Sequence, residues 1–116
     1  MTNAVDLVKP ASDGGSYILN IQWLDDSLQP VTPTTATWSL ADDDGNEING
    51  RTDVPIPSLA TTNSVLLQGN DLLYSDAEFR RIEFTYSYNS ATFGTVTQTK
   101  EYRFRIRKHA NKVEIL

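Results

Sequence analysis

Arg81-Ile82-Glu83-Phe84-Thr85-Tyr86-Ser87-Tyr88 and Glu101-Tyr102-Arg103-Phe104-Arg105-Ile106-Arg107 decide the fold of this chain. In both stretches every second residue is apolar or aromatic, and the residues between are polar. Successive side chains of a β-strand point to opposite faces, so this alternation sets one face on a core and the other in water. The inward rows are Ile82/Phe84/Tyr86/Tyr88 and Tyr102/Phe104/Ile106. The intervening Asn89–Gly94 segment reads as a hairpin loop, and Thr95–Thr99 extends the last strand to about residues 95–108.

Upstream the same period recurs in shorter runs. Val5 and Leu7 suggest a first strand closed by Lys9-Pro10, and Ser12–Gly15 reads as a turn. Tyr17, Leu19, Ile21 and Trp23 share one face of a second strand over 16–24. Ala36, Trp38 and Leu40 share one face of a third. Asp42-Asp43-Asp44-Gly45-Asn46 is a hairpin turn, followed by a short return strand at Glu47-Ile48. Residues 51–63, with Pro55 and Pro57, read as a crossover with little regular structure. Residues 64–68 form a short strand, and Leu72–Phe79 has the spacing of one helical turn. About seven short strands with frequent turns and almost no helix predict an all-β protein, a two-sheet β-sandwich with Greek-key connections. An OB-like barrel is the runner-up.

The chain has 116 residues and reads as one domain, with 109–116 as a tail ending in the apolar Val113–Leu116. It has no cysteine, which removes disulfides and thiolate chemistry. Its first residues show neither a basic segment nor an apolar one, so no signal peptide is expected. The longest apolar run is Val65-Leu66-Leu67, so no membrane span is expected. The net charge of −5 is unevenly placed. Residues 1–79 carry 12 acids and 2 bases, whereas 80–116 carry 3 acids and 8 bases.

Val65–Leu72 followed by Arg80–Tyr86 resembles the E strand, E–F corner and F strand of immunoglobulin-like domains. Together with the small size and the Thr- and Asp-rich turns, the pattern resembles the small immunoglobulin-like proteins encoded among the structural genes of tailed bacteriophages. The paired cysteines of antibody domains are absent, and either Trp23 or Trp38 suits the buried-tryptophan position. The resemblance implies a virion or assembly protein, in the cytoplasm of a bacterial host or in the particle. It implies no catalytic residue.

No motif argues for chemistry. Asp42–Asp44 invites calcium, but with Gly45 at the sixth position of an EF-hand loop the first would be Leu40, which has no side-chain oxygen. The turn alone accounts for these residue types. The single histidine, His109, belongs to no recognisable nucleophile motif. No catalytic residue, metal site or cofactor is expected.

The row Arg103, Arg105, Arg107, followed by Lys108, falls on one face of the last strand, with arginines about 6.5–7 Å apart. Three readings compete for it. It is a solvated or charge-protected face, a docking stripe for an acidic protein surface, or a nucleic-acid contact. The sequence pI of about 4.6 weighs against the last. For docking, the complementary surface would be the acidic loops Asp25-Asp26 and Asp42-Asp43-Asp44, on a second copy or on another protein. The expected function is therefore non-enzymatic and structural. The alternative is a carbohydrate- or cell-surface-binding accessory module, for which Phe93 and Tyr74 are the candidate aromatics.

Overall fold

The computed structural model describes residues 4–108. The described residues form eight strands: β1 (Val5–Asp6), β2 (Ala11–Ser12), β3 (Ser16–Gln22), β4 (Thr35–Ala41), β5 (Val54–Pro55), β6 (Thr62–Gln68), β7 (Phe79–Ser90) and β8 (Gly94–Arg107). One sheet has the order β1-β8-β7-β4-β5, with β2 also on β8, and the other is β3-β6 alone. The connections β3→β4, β5→β6 and β6→β7 each cross between sheets, and the first strands return beside the last. This is the all-β sandwich expected from the alternation, not a barrel.

The long hairpin β7–β8 is antiparallel from Phe79↔Arg105 to Ser90↔Gly94. Its even-numbered residues on β7 point inward: Ile82, Phe84, Tyr86 and Tyr88 are all buried. Across the sandwich Tyr17 stacks on Phe104 with ring centroids 4.6 Å apart, and Trp23 lies 4.9 Å from Tyr86 and 6.1 Å from Phe84. Both tryptophans are buried. The Trp23 indole N–H, which a buried ring must satisfy, donates to Asn63 Oδ1.

Several expectations are corrected. The first strand is two short pieces, both parallel to β8, and Ser12 belongs to the second of them rather than to a turn. Residues 51–63 contain β5, which pairs with β4 through Thr37↔Pro55 and Trp38↔Val54. A proline is tolerated there because the strand is an edge. Glu47-Ile48 makes a single bridge, Ala41↔Glu47, rather than a strand. The one helical turn is a 3₁₀ turn at Gly69–Leu72, earlier than expected. It forms there because the Asp71 carboxylate reaches back to the Gln68 N–H, as in a capping box. The segment 109–116, including His109 and Val113–Leu116, lies outside the described residues.

Candidate interaction surface

The outer face of the larger sheet carries the odd-numbered residues of β7 and β8. Arg81 and Arg103 sit directly opposite each other across the two strands. Like charges so placed repel. The fold resolves this with Asp43, on the turn that follows β4. Ala41, the last residue of β4, pairs with Arg81, so the turn curls over the same end of the face. The Asp43 carboxylate accepts from Arg81 Nε at 3.0 Å, and from Arg103 Nε and Nη2 at 2.9 and 2.8 Å. These two arginines, Arg103 foremost, hold the Asp43 carboxyl below the usual carboxylate range. Arg81 also donates to Glu101 at 2.7 Å, and Arg103 lies over the Phe79 ring at 3.7 Å.

The row Arg103, Arg105, Arg107 does share one face, but its members differ in occupation. Arg103 is paired, also reaching Asp6 at 3.5 Å, and Arg105 pairs with Glu78 at 3.0 Å. Arg107 has no ion-pair partner among the described residues, and Lys108 lies over the Tyr74 ring at 5.5 Å. The acidic loop 42–44 thus meets the arginine row inside one molecule. Asp42 spends its Oδ1 on the N–H groups of Asp44 and Asn46, and the backbone N–H of Asn46 is the main reason its pKa is lowered. The Asp44 side chain is exposed.

Asp25 and Asp26 lie elsewhere. Asp25 accepts from the N–H groups of Ser27 and Gln29, which fixes a turn that holds Leu28 at φ +61°. Asp26 accepts from the Tyr88 hydroxyl at 3.3 Å. Arg81 and Tyr88 are seven positions apart on β7, about 23 Å of strand. The two acidic loops therefore flank opposite ends of the sheet and form no common patch.

Two buried ionised groups were not singled out from sequence. Arg80 is fully buried and donates to the carbonyls of Asp71 (2.8 Å), Ala77 (2.9 Å), Phe79 (3.2 Å) and Leu73 (2.6 Å). Burial pushes its pKa down. Its parity with Ile82 and Phe84 was the available signal. Asp71, also fully buried, accepts from Arg51 Nε at 2.9 Å and from Asn49 at 2.8 Å. Burial pushes the Asp71 carboxyl up, but Arg51, Asn49 and the Gln68 N–H outweigh it and hold the pKa below the usual value. A group with a depressed folded-state pKa contributes stability that is present above the unfolded pKa and is lost as pH falls through the folded one. Thermal unfolding followed from pH 5 down to pH 2 should therefore show a falling Tm below about pH 4. Asp71→Asn, less stable at pH 7, should lose less over that range.

A concavity of about 460 Å³ lies over this charged end and is lined by the 42–45 turn, Arg81, Glu83 and Glu101. Among the described residues no group of three His, Cys, Asp or Glu is arranged to hold a metal ion, and no helix is long and apolar enough to cross a membrane. Compared with family models, curated proteins and solved structures, the chain matches none.

Proposed function

We propose that this chain is a non-enzymatic structural domain that docks on copies of itself or on another protein of an assembly. The observation that carries this reading is the fixed charge mosaic on the outer face of the larger sheet. Asp43 immobilises Arg81 and Arg103, Glu78 holds Arg105, and the exposed Arg107 ends the row, with Lys108 just past the strand over the Tyr74 ring. A surface whose charges are held before contact loses little side-chain entropy on docking. The buried ionised groups serve the fold: Arg80 ties loop carbonyls together, and Asp71 anchors Arg51 and Asn49.

The strand order β8-β7-β4 facing β3-β6 matches the G-F-C and B-E strands of immunoglobulin-type sandwiches. It supports the immunoglobulin-like fold alone; a place in a virion or its assembly in a bacterial host is proposed from the sequence resemblance to the small sandwich proteins of tailed phages. Order of strands is a fold-level analogy, so the docking reading rests on the charged face instead.

The test is molar mass by light scattering at low and high salt. Association through the charged face should weaken as salt rises, because exposed charges are screened over about 10 Å at 0.1 M. Arg105→Glu combined with Arg107→Glu should abolish the salt-sensitive part. A mass indifferent both to salt and to this double charge reversal would contradict docking through this face. A carbohydrate-binding role is favoured by one feature: Phe93, at the tip of the β7–β8 hairpin, is 70% exposed. Glycan-array binding abolished by Phe93→Ala would establish that second reading.

A further inference from the structure

The larger sheet guards its edges, and the smaller one does not. In the larger sheet the outermost strands are the two-residue β1, β2 and β5, with Pro10 between the first two and Pro55 in the third. Short strands and prolines blunt an edge, because they give an incoming strand little to pair with. The smaller sheet consists of β3 and β6, each seven residues long, and among the described residues no further strand pairs with the other edge of either. Neither Ser-Tyr-Ile-Leu-Asn-Ile-Gln (16–22) nor Thr-Asn-Ser-Val-Leu-Leu-Gln (62–68) contains a proline or a charge.

The register shows which backbone groups face outward. The Trp23 N–H donates to the Thr61 carbonyl at 3.0 Å, and the Gly69 N–H donates to Gly15 at 3.1 Å. Both bonds are in phase with the pairs Tyr17↔Leu67, Leu19↔Val65 and Ile21↔Asn63. Hydrogen-bonded and non-bonded pairs alternate in an antiparallel ladder. Tyr17, Leu19 and Ile21 therefore spend their backbone groups on β6, and Ile18, Asn20 and Gln22 turn theirs outward.

The β3 edge also borders an apolar groove. A concavity of about 120 Å³ runs beside it, lined by Leu7, Leu19, Ile21, Phe84 and Tyr102. Leu7, Leu19 and Tyr102 pack on the core but are only partly buried. An extended strand laid there gains backbone hydrogen bonds from one side and apolar contact from the other, the two components of recognition by strand addition.

We propose that β3 pairs antiparallel with β3 of a second copy about a twofold axis at Asn20. This register sets Ile18 opposite the partner's Gln22 and Asn20 opposite the partner's Asn20. These even-numbered pairs consist of residues whose N–H and C=O point outward and form the hydrogen-bonded rungs, and the twofold makes the contact isologous. The strand is uncharged, so two copies meet without like-charge repulsion. Leu19 and Ile21, on the groove side, meet the partner's Ile21 and the partner's Leu19. The product is a continuous four-stranded sheet, β6-β3-β3-β6, across the dimer. The pairing is independent of the charged face, and it should hold equally at low and high salt.

Sedimentation velocity over a concentration series tests it. Wild-type protein should pass from monomer to dimer with the same midpoint at both salts. Asn20→Pro removes an outward N–H without touching the β3–β6 ladder, and Asn20→Lys places like charges at the axis. Both should shift the midpoint at least tenfold upward. Thr62→Lys charges the open edge of β6 instead; unlike Ser64, whose hydroxyl donates to Asn20 Oδ1 at 2.6 Å, Thr62 makes no hydrogen bond to Asn20, and this variant should dimerise as wild type does. If Asn20→Pro proves unfolded by circular dichroism, Asn20→Lys carries the test. Three results overturn the proposal: a wild-type monomer throughout, a dimer unaffected by Asn20→Lys, or a dimer lost in Thr62→Lys and kept in Asn20→Lys.

Discussion

Arg80→Met should destabilise the domain by about 3–5 kcal/mol, the range for removing one member of a buried charged network. Methionine fills much of the same space but donates nothing. The guanidinium bonds four carbonyls, those of Asp71, Leu73, Ala77 and Phe79. Buried acceptors left unsatisfied cost about 1–3 kcal/mol each, although such losses are not additive. Those carbonyls span the whole connection from the 3₁₀ turn to β7, so the loss should loosen this crossover first. Chemical denaturation gives the number, and a loss under about 1 kcal/mol would show that water or a repacked loop replaces the guanidinium. Arg80→Lys keeps the charge but not the planar fork, and it should recover only part of the loss.

Phe84→Ala should cost a similar amount, about 3–5 kcal/mol, for a different reason. Phe84 is 1% exposed and lies between the edge of Trp23 at 6.1 Å and Tyr102 at 6.0 Å. It stands at the centre of β7, where the sheets meet, so the surrounding rings cannot close the space without leaving their strands. A cavity therefore remains, and its cost adds to the lost transfer energy. A loss below 1 kcal/mol would mean that the core collapses around the site.

The period-two runs made most of this fold legible. Ile82, Phe84, Tyr86 and Tyr88 announced β7, and Ala36, Trp38 and Leu40 announced β4, because one buried face imposes alternation on the sequence itself. What pairs with what was less accessible. β1 and β2 are two-residue strands that pair with the parallel edge of β8 some 95 residues later; Val5 and Leu7 suggested the first, but no local pattern marks the second or the partner of either. β5 contains a proline, which argues against a strand unless the edge is known. Arg80 was in phase with the core, yet an arginine inside a sandwich becomes intelligible only once the carbonyls of the 71–79 connection are seen around it.

The arginine row was legible for the same reason as the core, since residues two apart on a strand share a face. Its partners were not. Asp43 reaches Arg103 across 60 residues of sequence, and only the pairing of Ala41 with Arg81 places the acidic turn over that end of the sheet. Asp25 and Asp26 looked equivalent to Asp42–Asp44 in composition. The fold gives them a different end of β7 and a turn-capping task. The open edge of β3 has no sequence signature beyond a lack of charge, because an edge is a property of what fails to pair.

Docking through a charged face and an open strand edge is the proposed role of this domain. Residue-resolved amide hydrogen exchange at low and high protein concentration tests that most directly. The outward N–H groups of Ile18, Asn20 and Gln22 should gain protection as concentration rises, at either salt, while those of Tyr17, Leu19 and Ile21 stay protected throughout. At low salt the exposed end of β8 near Arg107 should gain protection as well. Exchange that is identical at every concentration, along both β3 and β8, would contradict the account.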